Sequence, residues 1–387
     1  MFSNAVRLFD LFGFQIRVDP SWLIIAALIV WSLASGYFPA EVPGLHGGDY
    51  LAVAVAAMLG LFASLILHEL AHSLMARRFG LGVGGITLFL FGGVAELERE
   101  PQSAVSEFWI AVAGPAMSFA LALLFRLLEG AAAMAGASDA LVALIGYLAT
   151  INFVLALFNL LPAFPLDGGR VLRAVLWHLR GDLLAATRTA SAAGVAFGYL
   201  LVALGFAALF SGQSVIGGLW PILIGLFLAA AARATLQQML TRRALSGRRV
   251  GDLMTRAVHT TGPDRTVRDL VDEIMLRHGV GFVPVVEDGH TLGYVDTGTV
   301  RAIDRENWDT TRVEDVFVAL APEMRAEPRE PLERLFDRIS ASGRRKFIVE
   351  DGRRFAGVIT LSDLVAHIGV LRELAADGGA PRAERSI

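Results

Sequence analysis

The segment Ser64-Leu65-Ile66-Leu67-His68-Glu69-Leu70-Ala71-His72 combines two properties that rarely occur together. It is as apolar as a membrane-spanning helix, yet it contains two histidines four positions apart with a glutamate between them. Residues with this spacing lie on one face of a helix, so both imidazoles can bind one metal ion while Glu69 stands beside it. Ionisable groups at membrane depth are costly and mark functional sites. The segment therefore predicts a zinc site at His68 and His72 with Glu69 as general base, and the alternative is a kinked helix with an internally satisfied histidine–glutamate pair.

The composition of the chain indicates a membrane protein joined to a soluble part. Of its 387 residues, 55% are hydrophobic and the mean hydropathy is +0.56, but the polar residues are concentrated in the last third. A net charge of −3 without a basic face excludes a nucleic-acid-binding protein. Because the chain has no cysteine, any metal must be bound by His, Asp or Glu.

The apolar part contains six runs that are long enough to cross a bilayer. These runs cover residues 21–38, 50–76, 107–128, 140–161, 189–210 and 215–239. Arginines precede the first run and follow the second, fourth and sixth, whereas the loops after the other runs have none. The positive-inside rule then places the N- and C-termini in the cytoplasm. We expect a multi-pass protein of the bacterial cell (inner) membrane, surrounded by membrane lipid.

The third metal ligand should come from the same side of the bilayer as the two histidines. A catalytic zinc ion usually has three protein ligands and one open position. The fourth run closes on the cytoplasmic side with Asn159-Leu160-Leu161-Pro162-Ala163-Phe164-Pro165-Leu166-Asp167-Gly168-Gly169-Arg170. Its prolines end the helix and its glycines allow a close turn, as expected for irregular backbone that lines a cavity. Asp167 is the predicted third ligand, and the alternative is an aspartate that caps the next helix.

The two motifs together resemble those of the site-2 protease family of intramembrane zinc metalloproteases. The resemblance continues at Ala113-Gly114-Pro115 in the third run, although Ser118 stands where the family frequently has asparagine. Residues 84–98 resemble the family's membrane-embedded β-hairpin, while the residues alone also permit a plain cytoplasmic loop.

The resemblance implies one Zn²⁺ per chain and a set of site residues. The implied zinc ligands are His68, His72 and Asp167, the implied catalytic residue is Glu69, and Asn159 is implied to lie near the active site. Asn159 is the candidate donor of a hydrogen bond to the substrate carbonyl, and Asn152, further into the bilayer, is the weaker one; the alternative for a buried asparagine is that it pins one helix to another. The implied substrate is a single-span or polytopic membrane protein, cut near the cytoplasmic face where its helix frays.

Two other function classes fit parts of the pattern. A divalent-metal transporter also carries His and Asp in its membrane part, but it would keep charges along a path through the bilayer, and here the charges cluster near one face. An inactive scaffold would keep the fold without the catalytic residues. The presence of all four of them argues against it: His68, Glu69, His72 and Asp167.

From residue 250 onward the sequence repeats once with a spacing of about 63 residues. Residues 250–254, 285–289 and 293–295 recur as 313–317, 348–352 and 357–359. The repeats resemble a CBS domain pair, which implies an adenine nucleotide ligand such as ATP or AMP and association into homo-oligomers. Thr360 and Asp363 match the family's nucleotide-contact pattern, whereas Asp296 and Thr299 occupy those positions in the first repeat. The Thr-x-x-Asp element is equally typical of a helix cap, so a purely structural role is the alternative.

We therefore predict a polytopic α-helical membrane protein with about six transmembrane helices and a cytoplasmic α/β domain formed by a CBS pair. The predicted boundaries are 1–20 for an N-terminal cytoplasmic segment, 21–240 for the membrane core, 241–249 for a basic linker, 250–306 and 311–368 for the two repeats, and 369–387 for a disordered tail.

Overall fold

The computed structural model describes residues 5–89, 92–97, 100–211 and 215–377. It divides into two compact units, Met1–Gln237 and Gln238–Ile387. This division separates the predicted membrane part from the repeat-containing part.

The first unit contains the predicted helices. Its helices are α1 (Trp22–Ser32), which continues through a π-helical turn at Leu33–Tyr37 into α2 (Phe38–Glu41), α3 (Gly47–Arg78), α4 (Ala104–Met134), α5 (Asp139–Asn159), α6 (Asp167–Arg180), α7 (Leu183–Phe210) and the part of α8 (Val215–Leu245) up to Gln237. Among the described residues, six helical segments are long and apolar enough to cross a membrane, which confirms the predicted number of spans. Helix α4 lies at the centre of this unit and packs against α3, α5 and α6.

A four-stranded sheet packs against α3 in the same unit. Its strands are β1 (Val6–Leu11), β2 (Phe14–Val18), β3 (Val83–Phe89) and β4 (Gly92–Leu97), in the order β1-β2-β3-β4, with β2 and β3 parallel and the other pairs antiparallel. Ile16, Ile86 and Leu88 of the sheet are buried against Ile66 and Leu70 of α3. Strands β3 and β4 form the hairpin predicted for 84–98, of which residues 90–91 and 98 lie outside the described residues. The participation of residues 6–18 was not predicted, because we expected only a cytoplasmic segment there.

The second unit is built from two similar halves. Its strands are β5 (Phe282–Glu287), β6 (His290–Asp296), β7 (Val318–Ala319), β8 (Arg325–Ala326), β9 (Lys346–Asp351) and β10 (Arg354–Thr360). Its helices are α9 (Val250–Leu253), α10 (Val267–Asp269), which runs on into a π-helical Leu270–Leu276, α11 (Thr297–Arg301), α12 (Val313–Val316), α13 (Leu332–Ser342) and α14 (Leu361–Asp377), with 3₁₀ turns at Arg305–Asn307 and Pro322–Met324.

Each half has its own hydrophobic core and its own hairpin. One core includes Val267, Val283 and Val295, and the other includes Leu332 and Phe347. The hairpins β5–β6 and β9–β10 turn at the repeated Asp-Gly pairs, and they join into one mixed sheet of order β5-β6-β10-β9-β8, with β7 paired to β6. This arrangement confirms the predicted α/β CBS pair.

Helix α14 extends further than the predicted end of the second repeat. We expected disorder from residue 369, but the helix continues to Asp377, and residues 378–387 lie outside the described part. Buried Leu364 and Ile368 anchor the helix on the core. Residues 371–376, Leu-Arg-Glu-Leu-Ala-Ala, are strong helix formers, so the helix has a physical reason to continue past Gly369.

Candidate metal centre

Three of the predicted residues converge at one buried point of the first unit. His68 and His72 are only 3% and 5% exposed, and Asp167 is 9% exposed. The two histidine Nε2 atoms are 3.2 Å apart, and Asp167 Oδ2 lies 3.2 Å from His68 Nε2 and 3.1 Å from His72 Nε2. Ligand atoms around a tetrahedral ion with bonds of about 2.0–2.1 Å lie roughly 3.3 Å apart. The spacing and the donor set therefore fit a zinc ion bound by two histidines and one carboxylate.

The other ring nitrogens of the histidines are occupied by α4. His72 Nδ1 lies 2.6 Å from the carbonyl oxygen of Ile110, which can only accept, so His72 donates from Nδ1 and keeps Nε2 as a lone-pair donor to a metal. His68 Nδ1 lies 2.8 Å from Ser118 Oγ. Such outer contacts orient metal-binding imidazoles and set their tautomer. The serine that departs from the family's frequent asparagine is therefore a direct partner of a predicted ligand.

Gly114 allows α4 to approach the histidines. A Cβ atom at this position would lie 2.2 Å from His72 Nε2 and 2.6 Å from His68 Nε2, far inside contact distance. The small-residue motif at Ala113-Gly114-Pro115 thus has a physical reason, because any larger residue at 114 would occupy the space beside the Nε2 atoms of the two histidines.

Asp167 is the first residue of α6, directly after the proline-containing loop. The helix has Leu166 at its N-cap position and no side-chain cap, so the alternative in which Asp167 serves as a cap is not what the structure contains. Gly168 and Gly169 let the helix start pack on the loop, since a Cβ atom on either would meet loop backbone at 2.2–2.4 Å. A carboxylate at a helix N-terminus also interacts favourably with the helix dipole.

Glu69 is half-buried on the helix turn between the two histidines. Strand β4 lies against it: a Cβ atom at Gly93 would be 2.5 Å from Glu69 Cγ and 3.1 Å from its Oε1. The edge strand of the sheet therefore runs beside the predicted general base.

The two asparagines of α5 lie in different surroundings. Asn159 is the last residue of α5 and is half-buried, eight positions before Asp167. Asn152 is fully buried and donates from Nδ2 to Ser64 Oγ at 3.0 Å and to the Leu148 carbonyl at 2.8 Å. The helix-pinning role thus belongs to Asn152, and the substrate-contact role of Asn159 stays a prediction.

A buried ion pair near the site was missed by the sequence reasoning. Glu107 of α4 is 1% exposed, and Arg173 of α6 donates to its Oε1 from Nε at 2.6 Å and also from Nη2. The Arg173 guanidinium also lies over the Phe164 ring, 5.1 Å from its centroid. The partners are separated by 66 residues, so no local pattern links them.

In the second unit, the predicted nucleotide-contact residues form a helix cap. Asp363 Oδ2 accepts from Thr360 N at 2.8 Å and from Thr360 Oγ1 at 2.9 Å, and Thr360 Oγ1 accepts from Asp363 N at 3.2 Å. In the first half the roles are exchanged, with Asp296 Oδ1 accepting from Thr299 N at 2.9 Å and from Thr299 Oγ1 at 3.1 Å. The same hydrogen-bonded pair therefore caps a helix in each half, with the carboxylate at opposite ends.

Comparison with known proteins agrees with this geometry. The model of peptidase family M50 matches residues 56–135 and 129–205, and the CBS domain model matches 250–303 and 313–370. Rip3 of Mycobacterium tuberculosis is 37% identical over 95% of this chain and 94% of its own length. Zinc metalloprotease MJ0392 of Methanocaldococcus jannaschii is 26% identical over 95% of this chain and 97% of its own length. Among solved structures, the site-2 protease from Methanocaldococcus jannaschii matches 59% of this chain and 94% of that chain, with 26% identity and a TM-score of 0.41.

The similarity to Rip3 extends over nearly the whole of both chains and includes both units. The chain therefore belongs to peptidase family M50, as a multi-pass membrane zinc metalloprotease with a C-terminal pair of CBS domains.

Proposed function

We propose that this protein is an endopeptidase that cleaves a transmembrane substrate near the cytoplasmic face of the cell membrane. The observation that carries the proposal is the meeting of His68 Nε2, His72 Nε2 and Asp167 Oδ2 in one buried space, where the start of α6 meets the candidate membrane span α3. The arginine-rich loops after the second, fourth and sixth spans support cytoplasmic termini and a site on the cytoplasmic side.

The chain's own residues account for the steps of peptide hydrolysis. His68, His72 and Asp167 would hold zinc, which when bound lowers the pKa of a water molecule toward 7 and polarises the scissile carbonyl. Glu69 takes a proton from the attacking water at its carboxylate and returns it to the leaving amine. Its contact with Gly93 limits the directions in which the side chain can turn.

The sheet offers a way to present an unwound substrate. Strand β4 is the last strand of the sheet and lies beside Glu69. An extended peptide can add to such an edge through main-chain hydrogen bonds. A transmembrane helix hides its carbonyls in internal hydrogen bonds, so we expect cleavage where the substrate helix frays. Asn159, at the end of α5, then donates a hydrogen bond to the substrate carbonyl.

The second unit acts in this proposal as a regulatory module. We assign an adenine nucleotide, ATP or AMP, to the second half at Thr360 and Asp363, and we expect paired modules to associate into homo-oligomers. The first half has a carboxylate at 296 where the second has a hydroxyl at 360, and a carboxylate repels phosphate. Asp363→Ala in the full-length protein should weaken ATP binding, whereas Asp296→Ala should leave it unchanged. Equal binding by the wild type and Asp363→Ala would remove the assignment.

The peptidase is tested by co-expressing the wild type and Glu69→Gln with a panel of single-span membrane proteins. A cytoplasmic fragment formed by the wild type and not by Glu69→Gln, with equal zinc content in both purified proteins, supports the proposal. Purified wild type that contains no zinc, and takes up none on reconstitution, refutes it.

A further inference from the structure

The buried Glu107–Arg173 pair joins two helices that each contribute to the metal centre. Helix α6 begins with Asp167 and carries Arg173 nearly two turns later. Helix α4 carries Glu107 and also holds both histidines, through the Ile110 carbonyl and Ser118. The pair is therefore a direct link between the support of the histidines and the helix that supplies the third ligand.

The contacts of α4 lie on one face of that helix. Glu107, Ile110, Gly114 and Ser118 follow one another at intervals of three, four and four residues, which is the spacing of a single helical stripe. Ile110, Gly114 and Ser118 lie against the histidines. Glu107, the most N-terminal of the four, contacts α6. One rigid helix face thus sets the positions of all three ligands.

The link leaves little freedom to α6. Arg173 uses two nitrogens on one Glu107 oxygen, and its guanidinium is also stacked on Phe164 in the loop that leads into Asp167. The Arg173 side chain is 11% exposed and that of Glu107 is 1% exposed, so water screens the pair very little. Arg173 lies six residues from Asp167, about 9 Å along the axis of the same helix, so any shift of α6 at Arg173 is passed on to the Asp167 carboxylate.

We propose that Glu107 and Arg173 are positioning residues of the metal centre. Their ion pair fixes the position of α6 along its own axis and its rotation about that axis, so that the Asp167 carboxylate reaches the two histidines. Metal bonds tolerate deviations of only about 0.2 Å, whereas packing alone tolerates more. This inference rests on the zinc binding proposed above.

The test is a double-mutant cycle on zinc affinity, measured by chelator competition with the purified full-length protein. Glu107→Gln should weaken zinc binding by about 10–100-fold, the range for outer-shell contacts. In an Asp167→Asn background the same change should alter zinc affinity less than about twofold, because the ligand through which Glu107 acts is already lost. Glu129→Gln is the matched control, since Glu129 is paired on the same helix with the exposed Arg126 and should leave zinc affinity unchanged.

A second variant keeps the test decisive if Glu107→Gln does not fold. Glu107→Gln with Arg173→Met removes both buried charges together, which avoids an unpaired cation, and it should show the same loss of zinc affinity. Zinc affinity equal to that of the wild type in these variants overturns the inference. An equal loss with and without Asp167→Asn also overturns it, since the pair would then act on the whole fold. Wild type that binds no zinc instead refutes the proposed function itself.

Discussion

Substitution of Gly114 by alanine should inactivate the enzyme without altering any ligand residue. The new Cβ would lie 2.2 Å from His72 Nε2, whereas ordinary contact begins at about 3.4 Å. Either the imidazole retreats by more than an ångström or α4 shifts away from α3. Zinc–ligand distances tolerate deviations of about 0.2 Å, and a misplacement of 1 Å at a catalytic centre lowers the rate by about 100-fold. We therefore expect a loss of at least about 100-fold, equivalent to about 2.7 kcal/mol of transition-state stabilisation.

The assay is the rate at which purified protein in detergent cleaves a tagged substrate, measured together with bound zinc. Gly130→Ala is the control, because Gly130 lies on the same helix and a Cβ there would meet nothing within 4 Å. Alanine is a better helix former than glycine by about 1 kcal/mol, so helix propensity does not predict unfolding of either variant. Full zinc content and a wild-type rate in Gly114→Ala would refute the assignment of the metal to this space.

Three further outcomes follow from the surroundings of individual side chains. Gly93→Ala should lower kcat but keep zinc, because its Cβ would lie 2.5 Å from Glu69 Cγ; a parallel loss of zinc would contradict this separation of roles. Ser118→Ala should weaken zinc binding by about 10–100-fold, because it removes the hydrogen bond between Ser118 and the predicted zinc ligand His68. Ser191→Ala is the control and should leave zinc binding unchanged, because Ser191 is a buried serine for which no hydrogen-bond partner is described. His367 is half-buried on helix α14, and burial lowers its pKa. As the pH falls, the unfolded chain therefore takes up a proton at this histidine before the folded chain does, which favours unfolding. Protection of the second unit's amides from hydrogen exchange should be full above about pH 6.5 and fall below it, and His367→Gln should flatten that fall.

Local spacing predicts the histidine pair of the candidate metal centre, and the predicted topology adds Asp167. The separation of His68 and His72 by four residues guarantees a shared helix face, and this holds whatever the rest of the chain does. Asp167 could be predicted as the third ligand because the prolines and glycines around it indicate the end of a helix. The distribution of arginines in the loops places that helix end on the same side of the membrane as the histidines. The hairpin at 84–98 was accessible only through the family resemblance.

Contacts between distant segments escaped prediction for physical reasons. The Ile110 carbonyl that orients His72 is a backbone atom, which leaves no signature in residue type. Glu107 and Arg173 are ordinary charged residues until α4 and α6 pack together. The parallel pairing of β2 with β3 joins residues that lie about 70 positions apart, and a short apolar run near the N-terminus carries no sign of its partner.

The exchange of aspartate and threonine between the two halves of the second unit has a consequence for how such a duplicated module diverges. A threonine and an aspartate cap a helix with similar strength in either order, each worth about 1 kcal/mol. Selection for stability therefore cannot distinguish Asp296–Thr299 from Thr360–Asp363. A molecule bound at the helix start would distinguish the two orders, so after a gene duplication the order could drift in a half without a ligand and would be retained in a half with one.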